Sequence, residues 1–167
     1  MNKFMCRRYL LFCVSLFVNA LGIAFITKAA LGTSPITSVT YVLSMFTPFT
    51  IGQWTILLNL LFVILELFLM TREDLKSDLR MYLLQIPISF CFGMFIDLCM
   101  HYILFWLNPV EYVYMIVALL IGCVILAVGI ALEVKANAAM MAGEYFVKVI
   151  TRRFRGEFGY IKPEFYI

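Results

Sequence analysis

The chain has 167 residues, of which 64% are apolar and 14% carry a full charge. Soluble domains are roughly 45–50% apolar and about 25% charged, so this composition excludes a soluble enzyme, a disordered segment and a nucleic-acid-binding domain. Charge-free stretches of 19, 37 and 21 residues occupy 9–27, 29–65 and 112–132. Each is long enough to cross a hydrocarbon layer of about 30 Å as a helix. The sequence therefore predicts an all-α polytopic membrane protein. Its predicted partner is the lipid bilayer.

The predicted transmembrane helices number about five and form a single membrane domain over the whole chain. Full spans are predicted at 9–27, 53–70, 81–100 and 112–132, and a fifth, cut short by the end of the sequence, begins near 162. Lys3, Arg7 and Arg8 precede the first apolar segment, which is longer than the apolar region of a secretory signal. We therefore expect an uncleaved first span.

The segment Ser34–Phe46 differs from the spans because it has only 13 residues. Pro35 suits the first position of a helix, with Ser34 as its N-cap, and Pro48 follows the segment. A helix of this length covers only about 20 Å, which is too short to cross the membrane. The sequence predicts a short re-entrant helix here, with an interfacial helix as the alternative.

The basic residues support this topology. If 34–46 does not cross, twelve basic residues fall on one side of the membrane and only Lys28 on the other. Basic residues concentrate on the cytoplasmic side of membrane proteins. The N-terminus is therefore predicted to be cytoplasmic.

The chain also matches itself at an offset of 107 residues, with seven identical pairs over about 40 positions. Leu21-Gly22-Ile23-Ala24 aligns with Val128-Gly129-Ile130-Ala131, and Lys28-Ala29 aligns with Lys135-Ala136. The single span 81–100 links the two copies, about 9–70 and 112–167, so they are expected to have opposite orientations. Inverted repeats with short or broken helices are typical of secondary transporters, whose substrate sites lie near the midplane.

Several motifs resemble the YczE/YyaS/YitT family of bacterial integral membrane proteins over nearly the whole chain. They are Ala30-Leu31-Gly32-Thr33-Ser34-Pro35-Ile36, Thr50-Ile51-Gly52-Gln53-Trp54, Leu84-Gln85-Ile86-Pro87, Phe92-Gly93-Met94-Phe95-Ile96-Asp97, Ala142-Gly143-Glu144 and Glu157-Phe158-Gly159-Tyr160-Ile161-Lys162. The resemblance implies a location in the bacterial inner (plasma) membrane and a chain that continues beyond residue 167. It implies little about function, because the activity of that family is largely uncharacterised.

The polar residues near the two repeat loops and in the linking span predict a substrate site. These candidates are Lys28, Thr33, Ser34, Gln85, Asp97, Asn137 and Glu144. Asp97 and His101 are four residues apart and could form a pair able to carry a proton, with a structural role for Asp97 near the outer face of the membrane as the alternative. Glu66 is interpreted as interfacial because it lies near the end of its span, and Glu133 with Lys135 as a local ion pair.

Two functions are consistent with these patterns. The first is a small-solute transporter or permease of the inverted-repeat type. The alternative is a non-transporting membrane scaffold or regulator acting through a basic cytoplasmic surface formed by Lys148, Arg152, Arg153 and Arg155. No enzyme motif, cofactor motif or metal-ligand cluster is present in the sequence. An enzyme is therefore not expected, and the oligomeric state stays open.

Overall fold

The computed structural model describes residues 3–70, 72–107, 111–136 and 140–154, and these residues form helices and short connections. The helices, in chain order, are α1 Lys3–Lys28, α2 Pro35–Phe46, α3 Ile51–Leu69, α4 Arg72–Leu98, a π-helical segment Cys99–Ile103, α5 Tyr112–Ala136 and α6 Ala142–Phe154. The all-α prediction is confirmed for this part of the chain. The predicted fifth span lies outside the described residues.

Four helices are long and apolar enough to cross a membrane. The segments concerned are Arg7–Lys28, Ile51–Leu69, Met81–Ile103 and Tyr112–Ala136. Large apolar side chains such as Leu61, Phe68 and Val124 point outward from them, which suits a hydrocarbon environment and not water. The membrane class predicted from composition is therefore supported by the fold.

Helix α2 begins where its sequence predicts. The Ser34 hydroxyl accepts a hydrogen bond from the Thr37 backbone N–H at 3.3 Å, and Pro35 occupies the first turn. The helix ends at Phe46 after 12 residues, or about 18 Å at 1.5 Å per residue. Such a length is too short for a span. The re-entrant helix stays a prediction, and the interfacial helix stays its alternative.

Helices α1 and α5 pack closely in antiparallel directions. A β-carbon on Gly22 would lie 2.8 Å from the backbone nitrogen of Leu126, and one on Gly122 would lie 2.7 Å from the side chain of Ile26. Later residues of α1 therefore meet earlier residues of α5. Glycines permit this approach, as is common between membrane helices. In a bundle of alternating spans, an antiparallel α1–α5 pair is expected only if α2 does not cross.

Helix α4 packs against both α3 and α1. Gly52 of α3 meets Gly93 of α4 with backbone in direct contact, and the Tyr82 hydroxyl donates to the Val63 carbonyl at 3.2 Å. On the other side, the rings of Phe17 and Phe95 make an edge-to-face contact at 5.6 Å. The buried core lies between α1, α4 and the π-helical segment and contains Phe12, Leu16, Ala20, Phe92, Ile96, Cys99 and Leu104.

Helix α6 is amphipathic and lies against α3. Tyr145 and Val149 are buried, and Phe146 stacks on Phe62 at 5.1 Å. The helix runs from Ala142 to Phe154. The helix has 13 residues, so like α2 it is shorter than a span.

Candidate functional site

A partly open cavity of about 340 Å³ lies at the turn between α1 and α2. It is lined by Thr27, Ala30, Leu31, Gly32, Thr33, Ser38, Tyr41 and Val42. The turn requires unusual backbone angles, with φ of 55° at Ala30 and 148° at Gly32. Among the predicted site residues, Thr33 lines this cavity. Lys28 ends α1 next to it and is half-buried.

The N-terminus of α6 lies beside the N-terminus of α2. A β-carbon on Gly143 would lie 3.6 Å from Cδ1 of Ile36. Ser34, which was predicted to offer a binding group here, uses its hydroxyl as a cap and also shares a 2.8 Å hydrogen bond with the Thr37 hydroxyl. The structure thus brings together the starts of two short helices from distant parts of the chain.

A buried polar pair joins α1 to α5. The Asn19 amide Nδ2 donates to Oε2 of Glu133 at 2.7 Å, and the two side chains are 2% and 5% exposed. Glu133 had been expected to pair with Lys135 on its own helix, but it faces α1 instead. Residues two apart on a helix point in different directions, so this local pair was geometrically unfavourable.

Glu144, a predicted site residue, lies in the first turn of α6 near this pair. Its side chain is exposed on the described fold, but the protein atoms around the carboxyl group desolvate it and raise its pKa above the ordinary glutamate value. The carboxyl groups of Glu133 and Glu144 are close enough for their charges to interact. Two acidic groups and one carboxamide therefore share this region.

A second buried acid faces a carboxamide between α3 and α4. Glu66 is fully buried and Gln85 is 1% exposed, and the two side chains are close enough to interact. None of their four polar side-chain atoms has a hydrogen-bond partner among the described residues. The interfacial interpretation of Glu66 stays a prediction about its depth in the membrane, and the structure adds that the side chain faces neighbouring helices and not lipid or water.

Asp97 caps α3 and belongs to neither of these pairs. Its carboxylate accepts from the Thr50 hydroxyl at 2.6 Å and from the Gly52 backbone N–H at 2.9 Å. His101 approaches the backbone oxygen of Asp97 at 3.2 Å and not the carboxylate. The expected acid–imidazole pair is therefore wrong. The carboxylate is engaged by α3, and the π-helical segment carries His101.

The predicted site residues consequently fall in separate places. Lys28, Thr33 and Ser34 lie at the α1–α2 turn and Glu144 at the start of α6. Gln85 and Asp97 are separated along α4 by twelve residues, or about 18 Å. Asn137 lies outside the described residues. Within those residues, no group of three or more His, Cys, Asp or Glu side chains could hold a metal ion.

Sequence reasoning missed Asn19 and the burial of Glu133. Asn19 is the only amide within the apolar segment 9–27, and a polar group at such a position needs a partner on another helix. That signal pointed to Asn19 itself, but it could not identify Glu133, 114 residues away, as the partner.

We expect Glu66→Gln to stabilise the protein. Burying an ionised carboxylate is costly because the charge loses its hydration, whereas a neutral amide at this position can pair with Gln85 without that cost. The free energy of unfolding should rise by about 1–3 kcal/mol, measured by thermal unfolding in detergent. Glu111→Gln, at an exposed position, serves as the matched control and should change little. A clear loss of stability in Glu66→Gln alone would mean that the carboxylate is satisfied in the folded protein.

Comparison with known proteins places the chain in a family without giving it an activity. Neither the comparison with curated proteins nor the comparison with solved structures gives a match. A family model described as a family of unknown function (DUF6198) matches residues 6–167. Since the match covers nearly the whole sequence, the chain belongs to the DUF6198 family.

Proposed function

We propose that this protein is a small-solute transporter built on an inverted repeat. The observation that carries the proposal is the contact between Ile36 and Gly143. These residues are 107 positions apart, which is the offset of the sequence repeat, and each lies in the first turn of a short helix. A contact between equivalent residues is expected where a twofold axis passes between two copies.

Other contacts support the same relation. Gly22 meets Leu126, and Gly129 meets Asn19. Shifting each residue to its repeat counterpart converts the first of these contacts into the second. Ala29 and Ala136, also counterparts, are both fully buried. The contacts are thus those expected of two copies packed in opposite orientations through α1 and α5.

This arrangement provides the elements that a transporter needs. Two helix N-termini, which are positive dipole ends, come together between the copies. The cavity at the α1–α2 turn, which has both polar and apolar side chains in its lining, lies next to one of them. The buried Asn19–Glu133 pair lies within the bundle. A small polar solute is the class of substrate that such groups accommodate.

The membrane orientation is part of the proposal. The excess of basic residues places the N-terminus and the loop before 81 in the cytoplasm, and the motifs shared with the YczE/YyaS/YitT family favour a bacterial inner membrane. Kinship with that family stays a prediction from those motifs.

Crosslinking the two short helices tests transport. In a variant without the native cysteines, Ile36→Cys and Gly143→Cys should be joined by a short bifunctional thiol reagent, because the two positions are in contact. Uptake of a panel of amino acids, monocarboxylates and polyols into vesicles containing this protein should identify a transported solute. If the two copies move against each other during transport, a cleavable crosslink should abolish that uptake, and cleavage should restore it.

The two single-cysteine variants are the controls, and the reagent should leave their uptake unchanged. Undiminished uptake through fully crosslinked protein would contradict movement between the copies. Absence of uptake for every solute would reject transport and favour the scaffold or regulator alternative.

A further inference from the structure

The Asn19–Glu133 pair contains two polar atoms without partners. One hydrogen bond joins Asn19 Nδ2 to Glu133 Oε2. The remaining oxygens, Oδ1 of Asn19 and Oε1 of Glu133, are buried and have no hydrogen-bond partner among the described residues. Both are acceptors in the ionised state, so neither can satisfy the other.

Adding one proton to Glu133 would give both of these oxygens a hydrogen-bond partner. With a proton on Oε1, Glu133 can donate to Oδ1 of Asn19 while Oε2 continues to accept from Nδ2. A carboxylic acid and a primary amide then form a ring of two hydrogen bonds. All four polar atoms of the pair acquire partners without any further group.

Charged groups from α1, α5 and α6 lie near this pair, and the one on α6 favours a proton. Glu144 from α6 interacts with Glu133 as a like charge, so protonation removes a repulsion. On α1, Arg8 directs its Nε to the backbone oxygen of Ala136 at 3.1 Å. Lys135 of α5 is exposed two residues away, on a different face of the helix.

The position of Asn19 suits an intramembrane proton site. It lies twelve residues after Arg7 and nine before Lys28, or about 18 Å and about 14 Å along α1. Asn19 therefore lies deep within the span formed by α1, whereas Glu133 lies three residues before the end of α5. Ionisable groups within spans commonly belong to ion or proton pathways.

Gly129 makes this pairing sterically feasible. A β-carbon at Gly129 would overlap the carboxamide oxygen of Asn19. The glycine therefore leaves space for the Asn19 amide, which pairs with the protonated Glu133 side chain. The α1–α5 contact and the Asn19–Glu133 pair therefore both depend on a glycine at position 129.

We propose that Glu133 is a proton-binding site buried between α1 and α5 and that Asn19 holds its protonated form. The proton adds to Oε1 on loading and leaves the same oxygen on release, and no other covalent bond changes. This inference deepens the proposed transport function by naming a proton as the coupled ion, and in that respect it rests on it. Glu144, exposed and close by, is the nearest described group that can exchange the proton with water.

Infrared difference spectroscopy of the reconstituted protein tests the site without any substrate. Acidification should produce a C=O stretching band of a protonated carboxyl group in the wild-type protein. Glu133→Gln should lose that band, and Glu111→Gln should retain it. Persistence of the complete spectrum in Glu133→Gln would overturn the proposal.

Two further variants separate proton binding from simple misfolding. Asn19→Leu keeps the acid but removes the ring, so the band should persist and shift to higher frequency. Gly129→Ala displaces the carboxamide and should produce the same shift. A Glu133 band with an unchanged frequency in both variants would overturn the role of Asn19.

Sodium ions provide the competing ligand. Adding Na⁺ at constant pH should leave the Glu133 band unchanged, because the acid–amide ring needs only a proton. Loss of the band in proportion to Na⁺ would overturn the proton assignment in favour of a sodium site. The band without solute uptake would reject transport alone, whereas uptake without the band would reject the proton site alone.

Discussion

Gly22→Ala should lower the free energy of unfolding by about 2 kcal/mol, within the range for overpacked interiors. The added methyl group would lie 2.8 Å from the backbone nitrogen of Leu126 and 2.9 Å from its Cα atom. Because backbone atoms of α5 cannot rotate away as a side chain does, α1 and α5 must separate. Thermal unfolding in detergent should show a clearly lower midpoint than the wild-type protein.

Gly143→Ala is the matched control for this substitution. Its methyl group would make ordinary contact with Ile36 at 3.6 Å and Phe62 at 3.9 Å, so stability should change by less than about 0.5 kcal/mol. Equal stability of the two variants would contradict the close α1–α5 approach on which both the repeat contacts and the Asn19–Glu133 pair depend.

Local sequence signals predicted much of the fold. Ser34 and Pro35 determine the start of α2 because capping involves atoms only three residues apart. The long apolar segments predict four spans because bilayer thickness sets helix length. The ends of the helices were less predictable. Helix α5, for example, runs to Ala136 and not to 132, and the added residues include Glu133, which bonds to α1.

The candidate site was less predictable because it depends on which helix faces end up covered. Glu66 lies near the end of a span in the sequence, but its side chain is fully buried. Asp97 and Gln85 both lie within one predicted span. They are about 18 Å apart along the helix and face different neighbours. Composition and spacing identify ionisable residues in spans, whereas their partners follow only from helix packing.

The capping role of Asp97 predicts a graded loss of stability. Asp97→Ala removes the acceptor of two hydrogen bonds at the start of α3 and should cost about 3 kcal/mol, since hydrogen bonds to charged groups contribute about 1.5–3 kcal/mol each. It also removes a negative charge from the positive end of a helix. Asp97→Asn keeps one carbonyl oxygen for the Gly52 N–H and should cost less. Thermal unfolding in detergent measures both.

His101→Ala distinguishes a helix cap from a proton-carrying acid–imidazole pair. His101 is exposed, and its Nδ1 lies 3.2 Å from the backbone oxygen of Asp97, so its loss should change stability by less than about 0.5 kcal/mol. At every pH, uptake of a transported solute by this variant should equal uptake by the wild-type protein. If His101→Ala and Asp97→Asn instead shifted the pH dependence of uptake together, the carboxylate would have to leave Thr50 and meet the imidazole during transport. The cap would then describe only one state of the protein.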